Sequence, residues 1–187
     1  GVVVVTQQPR QQPGMQPVPV PPPPNEPPPR RTSMFAAAPT FHLPLVGVLA
    51  GQRAYGGGIN VHVGYALGNV SIAFSPALLY YGNGEKSEAY FTLGAIARYT
   101  LLREAVIHPF GEIGIDLGIP IAHGGSSGPT LTERAFALGV SAAIGAELDL
   151  SDNFSLQLAA RATACVDIGH LLGDVMFTPF LGLVYYR

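Results

Sequence analysis

"INVHVGYALGNVSIAFSPALLYY", residues Ile59 to Tyr81, runs 23 residues without a formal charge. About 20 apolar residues are enough for one membrane-spanning helix, so the stretch is either that helix or something that crosses by another geometry. The side-chain period decides against the helix. Ile59, Val61, Val63, Tyr65 and Leu67 alternate with Asn60, His62, Gly64 and Ala66, the period of two expected of a strand with two unlike faces. Gly68 and Asn69 follow, a pair suited to the positive φ angles of a tight turn. The alternation then resumes with Val70, Ile72, Phe74, Pro76, Leu78 and Tyr80 on one face and Ser71, Ala73, Ser75, Ala77 and Leu79 on the other. A helix would also have to absorb Gly64, Gly68 and Pro76, all poor interior residues. The stretch reads as a hairpin of two long strands.

The rest of the chain divides in two. Eleven of the 18 prolines lie in the first 29 residues, interspersed with Gln7, Gln8, Gln11, Gln12 and Gln16. "PVPVPPPPNEPPP" predicts a polyproline II arm over residues 1–33. At about 3.1 Å per residue such an arm reaches on the order of 90 Å. The leading "GVVVV" is β-prone and can add to a sheet edge or fray. From residue 34 to 187 a single barrel domain is expected, with strands near 41–51, 55–67, 70–81, 88–101, 107–119, 133–150, 154–168 and 174–187. Connections at 68–69, 102–106 and 151–153 are short. Those at 82–87 and 120–131 ("PIAHGGSSGPTL") are longer, polar or Gly-rich. Short turns at one rim and longer loops at the other describe an up-and-down barrel, and an even strand number brings both ends to the short-turn rim.

Composition narrows the class. Charged residues make up 12% of the 187, about half the usual share. A net charge of −2 offers no basic patch for nucleic acid. Cys165 stands alone, without a disulfide or zinc partner. No basic segment followed by an apolar run opens the chain; if the protein is exported, its signal has been removed.

The two faces differ in kind. One carries Ile59, Val61, Val63, Ile72, Phe74, Leu78, Phe91, Leu93, Ile113, Ile115, Leu117, Leu138, Val140, Ile144, Leu156 and Leu158 and almost no charge. The other carries Asn60, His62, Ser71, Ser75, Thr92, Arg98, His108, Glu112, Asp116, Ser141, Glu147, Gln157, Arg161 and Thr163 with many glycines. An eight-stranded barrel is only wide enough for side chains to fill. Small and polar residues suit that interior, and the bulky apolar face suits lipid. Outward aromatics band at the strand ends, with mid-strand Phe74 the main exception: Tyr65, Tyr99, Phe154 and Tyr185 near the short-turn rim, Tyr80, Phe91, Phe136 and Phe177 near the long-loop rim. Such bands match the aromatic belts at bilayer interfaces. The expectation is an all-β, eight-stranded antiparallel up-and-down transmembrane β-barrel with an extended proline-rich N-terminal arm. A soluble lipocalin-like barrel, with the apolar face turned in, is the alternative.

"AELDLSDNFSLQLAARA" resembles the strand–short turn–strand hairpins of small bacterial outer-membrane barrels of the OmpA/OmpX type. "HPFGEIGIDLG" resembles their strand starts and "TPFLGLVYYR" their closing strand. In the last, Phe177, Leu181, Leu183 and Tyr185 keep the alternation of the family's assembly signal, although the chain runs on to Arg187. The resemblance implies residence in the outer membrane of a Gram-negative bacterium, contact with its lipid, and both termini in the periplasm.

Inside a narrow barrel, an unpaired polar group costs about 1–3 kcal/mol. Arg98, Glu112, Glu147 and Arg161 are therefore expected to form an ion-pair network, with Asp116 and His62 nearby. His108 and Glu112 share a strand at about 14 Å, given about 3.4 Å per residue, too far to share a metal or a proton. No catalytic site, metal or cofactor is expected. The favoured function is structural: an anchor without an open pore whose arm, residues 1–33, reaches a periplasmic protein, the cell wall or a further copy in a homo- or hetero-oligomer. An adhesin-like barrel that binds through its long loops is the other reading.

Overall fold

The computed structural model describes residues 33–102, 105–125, 136–167 and 173–187. Residues 1–32, which hold most of the expected arm and its valine run, lie outside them, as do loop residues 126–135. Eight strands follow one another around a closed antiparallel barrel: β1 (Ser33–Val46), β2 (Tyr55–Leu67), β3 (Val70–Gly82), β4 (Lys86–Thr100), β5 (Ile107–Gly125), β6 (Ala137–Asp149), β7 (Phe154–Asp167) and β8 (Gly173–Tyr186). β1 pairs with β8 to close the cylinder, Phe35 opposite Tyr185 and Thr40 opposite Phe180. Ser33 and Arg187 exchange backbone hydrogen bonds of 3.1 and 3.0 Å. The two ends of the barrel thus meet at the rim that carries the short turns.

Two strands depart most from the sequence reading. β1 starts at Ser33, not near 41, and ends at Val46. After the Gly47 bend, residues Val48–Gly51 form a single helical turn, α1. Gly47 has φ +112°, and a Cβ there would overlap the Asp174 carboxylate and the Gly173 carbonyl, so the bend requires glycine. β5 runs on to Gly125, so residues 120–125 are strand and not loop.

The polarity of the cylinder is inverted relative to a soluble protein. Ile113, Ile115, Val140 and Ile144 are 57–75% exposed, while Arg98 and Glu112 are at most 4% exposed. The lipocalin-like alternative needs the opposite arrangement. Alternation follows the sequence throughout: in β8 the pattern from Asp174 to Tyr186 is inside on even residues and outside on odd ones, apart from the half-buried Pro179. Outward prolines interrupt the ladder locally. The β1–β8 bridges skip residues 38 and 39 beside Pro39 and 41 and 42 opposite Pro179, because proline has no N–H to donate.

The interior holds three apolar clusters. Met34, Ala36, Ala73, Ile96, Val184 and Tyr186 pack near the short-turn rim. Ala38, Phe110, Ala159 and Phe180 lie above them. Leu49 of α1 turns inward at the long-loop rim and packs with Ala54, Tyr81, Tyr90 and Met176. Its amide donates to Asp174 Oδ1 at 3.0 Å.

Candidate functional site

The interior polar residues form two assemblies at different heights. The lower one is built on Arg98, which register places directly opposite Glu112. Its Nε and Nη2 donate to Glu112 Oε2 at 3.1 and 2.9 Å. Its Nη1 pairs with Glu147, and Nη2 also donates to Gln157 Oε1 at 3.1 Å. Arg161 pairs with Glu112 Oε1 from two strands away. Glu112, Ala143 and Arg161 lie in register across β5, β6 and β7, and the small side chain of Ala143 leaves the space for that reach. Tyr186 donates its hydroxyl to Glu147 Oε2 at 2.7 Å. Phe110 and Phe180 lie 4.1 and 5.3 Å from the guanidinium carbons of Arg98 and Arg161. Each charge therefore has a partner, and the guanidinium faces have aromatic cover.

Asp116 stands apart. It is four residues beyond Glu112 on the same face, about 13 Å along the strand. It takes a hydrogen bond from Ser141, and among the described residues no ion pair within 4 Å involves it. Its neighbour across β4 is Gly94, where any Cβ would overlap its carboxylate. His62 is 2% exposed and neither ring nitrogen has a partner; the same holds for Gln157 Nε2 and Arg161 Nε.

The upper assembly surrounds a cavity of about 80 Å³. Thr40, Asn60, Thr92, Asp116, Arg161 and Thr163 are among its polar walls, and Leu49, Tyr81, Tyr90 and Met176 close it toward the long-loop rim. His42 is clamped between Thr40 Oγ1 at 2.9 Å and Thr178 Oγ1 at 3.1 Å. Tyr81 donates to Met176 Sδ at 3.1 Å. Sequence parity shows that these side chains face inward. It carries no sign that Gly118, Gly139 and Ala77 leave space at one height.

Near the short-turn rim, Ser155 Oγ donates to Asp149 Oδ1 at 2.6 Å, and His108 Nε2 lies 2.8 Å from Asp149 Oδ2. The order is serine–aspartate–histidine. The hydroxyl proton goes to a weakly basic carboxylate and the imidazole does not touch the serine, so the trio lacks the arrangement that activates a nucleophile. Among the described residues no three His, Cys, Asp or Glu side chains converge as a metal would need.

The eight aromatics singled out from the sequence all project outward, from Tyr65 at 68% to Phe91 and Phe177 at 37% exposed. Phe35 extends the lower set, and Phe41 and Tyr55 the upper. All three are about half exposed, and the sequence reading did not include them.

No protein-family model and no curated protein matches the chain. Solved structures do. Neisserial surface protein A is 15% identical over 83% of this chain and 97% of its own, with a TM-score of 0.65. The outer membrane protein OprG from Pseudomonas aeruginosa is 10% identical over 84% and 97%, with a TM-score of 0.54. The outer membrane enzyme PagL is 13% identical over 81% and 98%, also at 0.54. At such identities the likeness is one of fold: residues 33–187 build the closed eight-stranded cylinder found in small outer-membrane barrels.

Proposed function

We propose that the chain is a non-porous anchor of the bacterial outer membrane. Its strands cross the bilayer, both ends of the barrel face the periplasm, and residues 1–33 reach a periplasmic protein, the cell wall or a neighbouring copy. The observation that carries the reading is the inverted polarity. A belt of half-exposed Ile, Val and Leu suits hydrocarbon and would be an aggregation surface in water. The layer of Arg98 with Glu112, Glu147 and Gln157 supports closure, since it sets paired charge across the lumen. The serine–aspartate–histidine order at the rim supports a non-enzymatic role. The Gln/Pro-rich composition of residues 1–33 and the position of Ser33 at the short-turn rim support an arm on that side.

Membrane fractionation with gel mobility before and after boiling tests the location: an outer-membrane fraction and a heat-dependent shift are expected, and a soluble fraction would overturn the reading. Planar-bilayer recording tests closure, with no steady conductance expected. Cross-linking of the full chain against a variant lacking residues 1–32 tests the arm: the truncated barrel keeps its heat shift and loses the adducts. Unchanged adducts would remove the arm from the account.

A further inference from the structure

Phe74 sits at mid-strand, outside both aromatic belts, and the row it belongs to accounts for it. Tyr185, Phe35, Val63 and Phe74 lie in register on four consecutive strands of the cylinder, β8, β1, β2 and β3. All four side chains are exposed on the outer face. Phe154 braces Tyr185 from β7, with ring centroids 5.0 Å apart. Val63 is the short member of the row. Phe35 and Phe74 flank it from either side, about 10 Å apart at the backbone given about 4.8 Å per strand. The next row toward the short-turn rim is Ser33, Tyr65 and Ile72. These residues border an outward groove of about 430 Å³, with Ser33 and Arg187 at its rim end.

Positive charge gathers at that end. Arg187 borders the groove. In the sequence Arg30 and Arg31 precede Ser33, and the length of chain alone keeps them within about 11 Å of it. The acids there are fewer: Asp152, in the turn that Asn153 ties to Tyr186, and at most one carboxylate on residue 187. Three guanidiniums against two carboxylates leave a net +1. Asp149 faces Ser155 and His108, and Glu147 faces Arg98 and Tyr186 inside the lumen. Glu26 is seven residues from Ser33, about 22 Å along an extended arm.

A groove with aromatic walls and a cationic mouth, on the outer face of the barrel, fits a molecule whose hydrocarbon chain ends in an anionic head. A zwitterionic head carries its own cation and gains less from the arginines. Free phosphate would satisfy the arginines and leave the groove unfilled. We infer that this sector binds one anionic phospholipid of the periplasmic leaflet. Its phosphate lies on Arg30, Arg31 and Arg187, and one acyl chain lies over Val63 between Phe35 and Phe74. The inference rests on the membrane reading of the barrel with its ends in the periplasm. It needs no protein partner for residues 1–33.

The test is native mass spectrometry of the refolded full chain, released from micelles holding equal amounts of phosphatidylglycerol and phosphatidylcholine with the same acyl chains. One retained phosphatidylglycerol is expected, favoured over phosphatidylcholine by about tenfold or more. Arg30→Gln, Arg31→Gln and Arg187→Gln together bring the two lipids to within about twofold of each other. Val63→Phe fills the groove and removes the retained lipid of either kind. Its side chain faces outward, so the heat shift on the gel persists. Phe74→Ala takes away one wall, weakens retention about fivefold, and serves if Val63→Phe fails to fold. Equal retention of the two lipids, a preference that survives the triple substitution, retention unchanged in both groove variants, or glycerol phosphate (the head alone) binding as tightly would each overturn the inference. A chain without a heat shift removes the membrane reading and this inference with it. A chain that shifts and lacks the lipid preference removes this inference alone.

Discussion

Below mid-height, Arg98 touches Glu112, Glu147 and Gln157, and Tyr186 closes the set from β8. Above it, Arg161 and Asp116 face a cavity, and the remaining polar groups are mostly single hydroxyls. The lower half bonds across strands that are not neighbours, β4 to β6 and β7. The upper half is spanned by the Tyr81–Met176 contact from β3 to β8, with α1 laid over the top. The difference teaches that a narrow barrel does not need uniform packing. One cross-linked layer sets the relation of distant strands, and the other half is then free to keep space.

The sharpest way to break this contrast is Arg98→Ala. It leaves Glu112 and Glu147 buried with the main partner gone, and should cost about 3–5 kcal/mol in urea unfolding from lipid vesicles. Asp116→Asn, in the upper half, should cost less than about 1 kcal/mol, since Asp116 contributes one hydrogen bond to a neutral hydroxyl. A loss from Asp116→Asn equal to that from Arg98→Ala would erase the distinction. Next in size, Tyr186→Phe removes a hydrogen bond to a buried carboxylate and should cost about 1.5–3 kcal/mol in the same assay.

Two glycines sharpen the comparison further. In Gly145→Ala the new Cβ meets Ala159 Cβ at 2.6 Å and Phe110 Cζ at 2.7 Å, so the packed half should lose about 1–3 kcal/mol. Gly139→Ala meets nothing closer than 3.4 Å and should be neutral or gain up to about 1 kcal/mol, as glycine is a weak strand residue. Thr178→Val removes one hydroxyl from His42 and should cost about 1 kcal/mol. Its imidazole nitrogen resonance should shift while the barrel's backbone spectrum stays put.

The Ile59–Tyr81 hairpin was legible because its two faces differ at almost every pair. The start of β1 was not. Ala36 and Ala38 face inward and Ala37 outward, so the period has no contrast there, and Pro39 adds a false stop. Residues 120–125 were misread because Pro120 and two glycines look like loop, while pairing with β4 through Lys86↔Gly125 holds them as strand. In the site, parity gives the side each residue faces and hairpin arithmetic brings Arg98 beside Glu112. The roles of Gln157 and Tyr186 depend on reach across the lumen, and the cavity depends on small residues of several strands meeting at one height. Neither has a signature along the chain.

The placement of Arg98 also constrains how the molecule is made. Its carboxylate partners come from β5 and β6, later in the chain. A bilayer that took up the hairpins singly would receive β3–β4 with a bare guanidinium, at about 3 kcal/mol or more. A chain stopped after β4 would carry that cost uncompensated. Strands that pair before hydrocarbon surrounds them would avoid that cost, so the cation that braces the finished cylinder favours pairing ahead of insertion.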